Sequence, residues 1–314
     1  MDHDAILSNC DVQLTPGASD VQAPRRTFAG LCRIRGSVRQ TSAILSRYAR
    51  LRLEAGDCNE AGKKTGARII GTDRPGIGLS TWKKDYKLKD WPEDIADLCD
   101  HLNLQDVHVL GGSGGGIYAM ACARYLGEKL RNQRRLKSSG ILAGLLYDAG
   151  LSGVSWQRYI AYKYNMYAPR SLLKFTIDRE LVRPAQDADP AVFRRTMVKL
   201  LESLPEIEQR CLRQDAESFD RLIDVFRESM TQGSEGYLTD AYLQFAPLPF
   251  PMESVRSRVK LYYGDSDGST PLSMGEYAQE RLPNANLKIF PGEGHFSLFF
   301  HHGTAIVADL IADD

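Results

Sequence analysis

Val107-His-Val-Leu-Gly-Gly-Ser-Gly-Gly-Gly116 is a run of apolar and small residues that changes character at Ser113. Its first part is β-branched and apolar, which reads as a strand. Its last part leads into Ile117-Tyr-Ala-Met-Ala-Cys-Ala-Arg-Tyr-Leu126, which predicts a helix from about residue 115 to 127. Gly111-Gly112-Ser113-Gly114-Gly115 therefore spells G-x-S-x-G across a strand-to-helix turn, the context that motif requires. A residue on so sharp a turn takes strained backbone angles, so its neighbours must lack a Cβ. The consequence is an exposed Oγ at a helix N-terminus, where developing negative charge is favoured. Glycine-rich loops before helices also cradle phosphates. Here there is no G-K-[ST], and no G-x-G-x-x-G followed by an acidic residue at the next strand end, so Ser113 is expected to be a nucleophile.

A serine hydroxyl needs a base to take its proton and an acid to hold that base's tautomer. Of the six histidines, His3 is terminal, His101 sits late in a polar helix face, His108 lies within a strand, and His301 and His302 fall inside the last helix. His295 alone stands on a loop, in Pro291-Gly-Glu-Gly-His-Phe296, after a strand and before that helix. For the acid, Tyr262-Tyr-Gly-Asp-Ser-Asp-Gly-Ser-Thr-Pro271 offers Asp265 and Asp267 in a turn between a strand and a Pro-started helix. Either could instead serve as a helix cap or turn residue.

From Ala67 onward, short apolar runs alternate with longer helical stretches, the pattern of a mostly parallel sheet with crossover helices. Strands are expected over 67–72, 107–110, 139–146, 259–263 and 287–290, and helices over 92–102, 271–282 and 296–311. Between about Tyr147 and Gln244 the periodicity is helical without a convincing strand: 156–167 is aromatic-rich, and 190–204 and 218–230 are amphipathic. The first 60 residues fit this scheme badly. Arg25, Arg26, Arg33, Arg35, Arg39, Arg47, Arg50 and Arg52 break their apolar runs and leave only Val12-Gln-Leu14 and Leu31-Cys-Arg-Ile34 as strand candidates.

With Asp73-Arg-Pro-Gly-Ile-Gly-Leu-Ser80, the Ser113 turn, Gly264-Asp-Ser-Asp267 and Gly294-His295, the sequence resembles the α/β-hydrolase family from about Ala67 to the C-terminus. The order serine, acid, histidine is that family's order. The resemblance implies an α/β fold, a mostly parallel central sheet flanked by helices. Residues 61–146 and 245–314 would be its core, 147–244 an inserted helical cap over the nucleophile, and 1–60 an atypical segment that is expected to pack poorly. In the family the acid ends a G-x-x-D turn, which selects Asp267 over Asp265. Asp73 and Arg74 match the structural turn after the fourth strand. The serine separates this chain from the dehalogenase and epoxide-hydrolase branches, which use an aspartate nucleophile. One piece differs. The family's oxyanion hole takes one N–H from the residue after the nucleophile, here Gly114, and another from a His-Gly loop after the third strand. Nothing before Asp73 reads His-Gly, and Arg35-Gly-Ser-Val38 is the nearest substitute by order and distance, so Ser37 is put forward as the second donor.

Composition narrows the rest. The chain has 314 residues, 43% hydrophobic and 25% charged, which suits one large α/β domain with an insertion, or two small domains. Lys plus Arg and Asp plus Glu are 40 each, so no global field favours nucleic acid or an anionic membrane. The basic run Lys129, Arg131, Arg134, Arg135 and Lys137 reads as a solvated helix end. Cys10, Cys32, Cys58, Cys99, Cys122 and Cys211 show no C-x-x-C spacing and read as reduced thiols. The first thirty residues hold no apolar signal core, and no stretch reaches the roughly 18–20 apolar residues of a membrane span. A cytoplasmic protein without metal or organic cofactor is expected. Its partners would be a small-molecule substrate with an apolar part and at most a second copy in a homodimer, not nucleic acid.

The activity these features imply is cleavage of a carboxylic ester, thioester or related acyl bond through an acyl-Ser113 intermediate. Acyl transfer or carbon–carbon bond hydrolysis on the same triad, and a ligand-binding module with weakened catalysis, are the alternatives. Trp156, Tyr159, Tyr162, Tyr164 and Tyr167 read first as the cap's own core, and second as a lining for an apolar substrate part.

Overall fold

The computed structural model describes residues 12–13, 31–34, 42–47, 58–202 and 204–312. Among the described residues eight strands form one sheet: β1 (Val12–Gln13), β2 (Leu31–Ile34), β3 (Ser42–Arg47), β4 (Arg68–Thr72), β5 (Asp106–Gly112), β6 (Arg135–Leu142), β7 (Val259–Gly264) and β8 (Ala285–Phe290). Their order across the sheet is β1-β2-β4-β3-β5-β6-β7-β8. β2 runs against β1 and β4, and every pairing from β4 to β8 is parallel. This is the α/β class read from the sequence.

The helices are α1 (Asn59–Thr65), α2 (Trp91–His101), α3 (Gly116–Lys129), α4 (Trp156–Tyr167), α5 (Arg170–Ile177), α6 (Arg183–Gln186), α7 (Pro190–Glu202), α8 (Glu206–Gln214), α9 (Ala216–Ser229), α10 (Glu235–Gln244), α11 (Leu272–Arg281) and α12 (Ser297–Ile311). A parallel sheet is buried on both faces, and side chains alternate along each strand. On β5, Val107 and Val109 pack with Ile95, Leu98, Met120 and Met274 of the α2, α3 and α11 layer. Leu110 packs on the other face with Ala61, Leu298, Val307 and Leu310 of α1 and α12. His108 is a buried core residue, its Nδ1 lying 2.7 Å from Ser138 Oγ, which donates in turn to the Leu310 carbonyl at 2.8 Å.

Four expectations need correction, the last of them in the inserted helices. Ser42–Arg47 is a strand, although only Ala43-Ile44-Leu45 carries an apolar signal. It gains its ladder from two neighbours, Ala43 to Ser46 facing Arg68 to Gly71 and Ser42 to Arg47 facing Asp106 to Gly111. The centre of the sheet is therefore filled and lacks no strand there. β6 begins and ends four residues earlier than expected, because Ala143 turns the chain with φ of 46°. Arg134, in the basic run, is buried, donating to the Leu104 carbonyl at 2.7 Å and pairing with Asp100 at 2.6 Å.

Between β6 and β7 the described residues form helices α4 to α10 and no strand. Their shared core is Leu173, Phe193, Met197, Ile223 and Leu238, with Tyr164 packed against it. Of the α4 aromatics expected to be buried, Tyr164 packs against that core and Tyr162 against the main core, whereas Trp156, Tyr159 and Tyr167 are exposed. No described helix is long and apolar enough to cross a membrane. Cys58, Cys99, Cys122 and Cys211 are buried free thiols, and burial pushes Cys99 up to about 12.

Candidate active site

β5 delivers Ser113 to the C-terminal edge of the sheet, where the chain turns through Ser113–Gly115 into α3. Ser113 takes φ of 50°, a left-handed conformation that costs a non-glycine residue about 1–3 kcal/mol and that its surroundings must enforce. The turn closes only because its neighbours are small. A Cβ on Gly111 would collide with the Gly115 carbonyl and lie 2.8 Å from Ala119 Cβ. Bent this way, Ser113 presents its hydroxyl and not its backbone to the space above the sheet.

The last two strands of the sheet, parallel to β5, bring the partners to the same edge. β8 leads into the 291–296 loop, and His295 Nε2 comes within 3.0 Å of Ser113 Oγ. β7 leads into the turn holding Asp267, whose Oδ2 lies 2.7 Å from His295 Nδ1. Asp267 is buried and saturated: Oδ1 accepts from the Ser269 and Thr270 N–H groups at 2.7 and 2.9 Å, and Oδ2 from the Thr270 hydroxyl at 2.8 Å. Burial pulls its pKa up, but the His295 charge and these hydrogen bonds outweigh that and hold it below the usual carboxylate value. Burial likewise pulls His295 down. The charge and hydrogen bond of Asp267, with the Glu208 carboxylate beside it, win and raise it above the ordinary imidazole value. Asp265 is elsewhere, exposed and accepting from the Gly292 N–H at 2.8 Å, so it braces the histidine loop without touching the ring.

Of the sequence-predicted residues, Ser113, His295 and Asp267 meet, and Gly114 lies beside them in the cavity wall. Ser37 lies outside the described residues. β2 runs antiparallel to β4, whereas β3 runs parallel to β5 and ends with Arg47 opposite Gly111, at the nucleophile's end of the sheet. The Asp73 turn is structural as expected, Asp73 Oδ2 accepting from the Leu79 N–H at 3.0 Å.

Several site residues carry no signal that the sequence reading could use. Asp240 and Gln244 of α10 reach the turn: Asp240 pairs with the buried Arg74, accepts from the Tyr118 hydroxyl at 2.6 Å, and accepts from Gln244 Nε2 at 2.7 Å. The Gln244 amide rests closely on Gly114, so that a Cβ there would displace it. Only the Asp73-Arg74 motif hints at this cluster. Glu208 of α8 accepts from the His295 and Phe296 N–H groups. Arg158 of α4 lines the same cavity. That cavity, about 380 Å³, runs from Ser113 and His295 up between the inserted helices and is walled mainly by apolar side chains, among them Leu181, Met197, Leu222, Phe226, Phe299 and Phe300.

A family model described as alpha/beta hydrolase fold matches residues 57–302. The Bacillus subtilis (strain 168) protein named Uncharacterized hydrolase YcgS is 24% identical over 232 residues, 73% of this chain and 76% of that protein. Among solved structures, a bromoperoxidase from Bacillus anthracis is similar with a TM-score of 0.61 and 17% identity, over 91% of this chain and 98% of that one. A thermophilic esterase from Thermogutta terrifontis is similar with a TM-score of 0.59 and 16% identity, over 91% and 97%. At these identities the structural likeness speaks to the fold alone.

Proposed function

The chain belongs to the alpha/beta hydrolase fold family, and from that premise we propose that it is a serine hydrolase cleaving an ester, thioester or related acyl bond through an acyl-Ser113 intermediate. The observation that carries this reading is the unbroken hydrogen-bond line from Ser113 Oγ through the His295 ring, 3.0 and 2.7 Å, to Asp267. Ser113 Oγ attacks the substrate carbonyl while His295 Nε2 takes its proton, and Asp267 stabilises the imidazolium without becoming protonated. The Gly114 N–H, following the nucleophile at a helix start, is the oxyanion donor in this scheme. Collapse of the tetrahedral intermediate breaks the bond to the leaving alkoxide or thiolate, which receives the proton from His295. Water, deprotonated by the same ring, then attacks the acyl-serine and releases the acid with Ser113 restored.

In this reading residues 61–146 and 245–314 are the core and 147–244 the cap. The substrate is a small molecule with an apolar part, because the cavity above Ser113 is walled by leucine, methionine and phenylalanine. Covalent capture by a fluorophosphonate tests the proposal whatever the natural substrate, since it reports an activated serine. Labelling of the native protein, lost in Ser113→Ala and accompanied by turnover of p-nitrophenyl esters, is expected. Absence of labelling from the folded native protein would overturn it.

A further inference from the structure

Glu208 stands in the first turn of α8, is 1% exposed, and lies far along the chain from the residues it serves. A carboxylate so buried is costly unless both oxygens are satisfied. Here one oxygen accepts from the His295 N–H and the other from the Phe296 N–H at 2.9 Å. These consecutive amides lie just before α12, at its N-cap Phe296 and the residue preceding it, where the helix dipole favours an anion. The approach needs space that the sequence provides: a Cβ on Gly294 would collide with the Glu208 carboxylate. Around it, Leu201, Leu204 and Leu212 of the insertion pack with Phe296 and Phe300, so the contact sits in a closed apolar joint between insertion and core.

We propose that Glu208 is a positioning residue for the base, gripping the His295 loop through two peptide N–H groups so that imidazole alignment depends on the insertion being docked on the sheet. The inference rests on the triad reading above. It makes closure of the substrate cavity and completion of the proton-transfer line one event. The same loop that forms the cavity wall through Phe296 carries the base, and an inserted helix holds both. A charge effect accompanies the mechanical one. The groups acting on the imidazole are Asp267 from the turn after β7 and Glu208 from α8, which raise its pKa, and Arg158 from α4, which lowers it. Glu208 in turn is pushed up by burial, the His295 charge and both amides opposing that shift.

The test compares the native protein with Glu208→Gln and Gly294→Ala, all as full chains. The first substitution keeps one acceptor but turns an NH2 toward the second amide, and the second adds a methyl group that presses the native carboxylate off the loop. Three readouts are taken: kcat and KM on a p-nitrophenyl ester, the His295 ring pKa by NMR of 13C-histidine-labelled protein, and amide exchange of the 291–300 peptide by mass spectrometry. Both variants are expected to lose about 10²-fold in kcat, the scale of a misplacement near 1 Å, with KM within about threefold of native. The 291–300 amides should exchange faster in each, and in Glu208→Gln the ring pKa should fall. Native kcat in both variants, or an unchanged ring pKa in Glu208→Gln, would overturn the proposal. If Glu208→Gln does not fold, Gly294→Ala decides by kcat and exchange. If the native protein takes no fluorophosphonate, the triad reading fails on its own account. The ring pKa and exchange then still decide whether Glu208 holds His295.

Discussion

Replacing Asp267 by asparagine is the sharpest probe of the hydrogen-bond line, because the local partners dictate which way the new amide must turn. Oδ1 of Asp267 faces two donors, the Ser269 and Thr270 N–H groups at 2.7 and 2.9 Å, so in Asp267→Asn the amide carbonyl oxygen must occupy that place. The amide NH2 is then forced toward His295 Nδ1, where the native carboxylate oxygen sits at 2.7 Å. An NH2 donates, so the ring must accept at Nδ1 and carry its proton on Nε2. That tautomer meets Ser113 Oγ with an N–H and cannot take the serine proton. The equivalent swap in a serine-protease triad lowers kcat about 10⁴-fold, or about 5 kcal/mol of transition-state stabilisation. The same order is expected here in kcat on a p-nitrophenyl ester, with KM near native. Asp265→Asn should stay within about threefold, since the acceptor role toward the Gly292 N–H survives the change. A kcat for Asp267→Asn within about tenfold of native, or a larger loss at Asp265, would refute this reasoning. Circular dichroism of both variants excludes unfolding as the cause.

Ser113→Ala should abolish ester turnover and fluorophosphonate labelling with an unchanged far-UV circular dichroism spectrum, because it removes one cavity-facing oxygen and no core volume; residual hydrolysis would move the nucleophile elsewhere. Asp240→Ala removes the carboxylate that the 1%-exposed Arg74 pairs with and that Tyr118 and Gln244 donate to, so urea unfolding should show a loss of about 3–5 kcal/mol, and a loss under about 1 kcal/mol would contradict the buried-pair account. The rate profile against pH follows from His295: its pKa is raised, so the neutral base is lost as pH falls through a value above the ordinary 6.5, and the acid limb of kcat/KM should have its midpoint there. A midpoint at or below 6.5 would show that the carboxylates do not dominate the ring.

What is legible in the sequence follows from how local the physical cause is. β5 and α3 are readable because a buried parallel strand writes a continuous apolar run and the elbow demands small residues around Ser113. Helix α4 is readable, since the helical stretch expected over 156–167 is the one that forms. Its inward face is not: aromatic composition points to a core, yet Trp156, Tyr159 and Tyr167 face solvent while Tyr162 and Tyr164 pack inward. β3 is illegible for the opposite reason. Three apolar residues between Ser42 and Arg47 are too few for a periodic signal, and the strand exists because β4 and β5 offer it ladders on both sides.

The same distinction divides the site. Ser113, Asp267 and His295 sit at strand ends where each needs a particular turn, and a turn leaves glycine, aspartate and proline in consecutive positions that can be read in isolation. Asp240 and Glu208 need no local turn. Each lies in a helix whose sequence gives no reason to single it out, as in Glu206-Ile-Glu-Gln-Arg-Cys-Leu-Arg-Gln214, where a carboxylate looks like part of a solvated face. What buries them is a partner distant in sequence: Arg74 is 166 residues from Asp240, and the His295 amide is 87 from Glu208. The trace that such a pairing leaves lies on the other side of the contact, in a residue obliged to be small. Gly294 reads as half of a Gly-His motif, yet a Cβ there would also meet the carboxylate arriving from α8, as one on Gly114 would meet the Gln244 amide. Glycines beside the nucleophile and beside the base thus record where the insertion closes down. A sequence motif that looks purely catalytic therefore also carries the imprint of the helices that cover it.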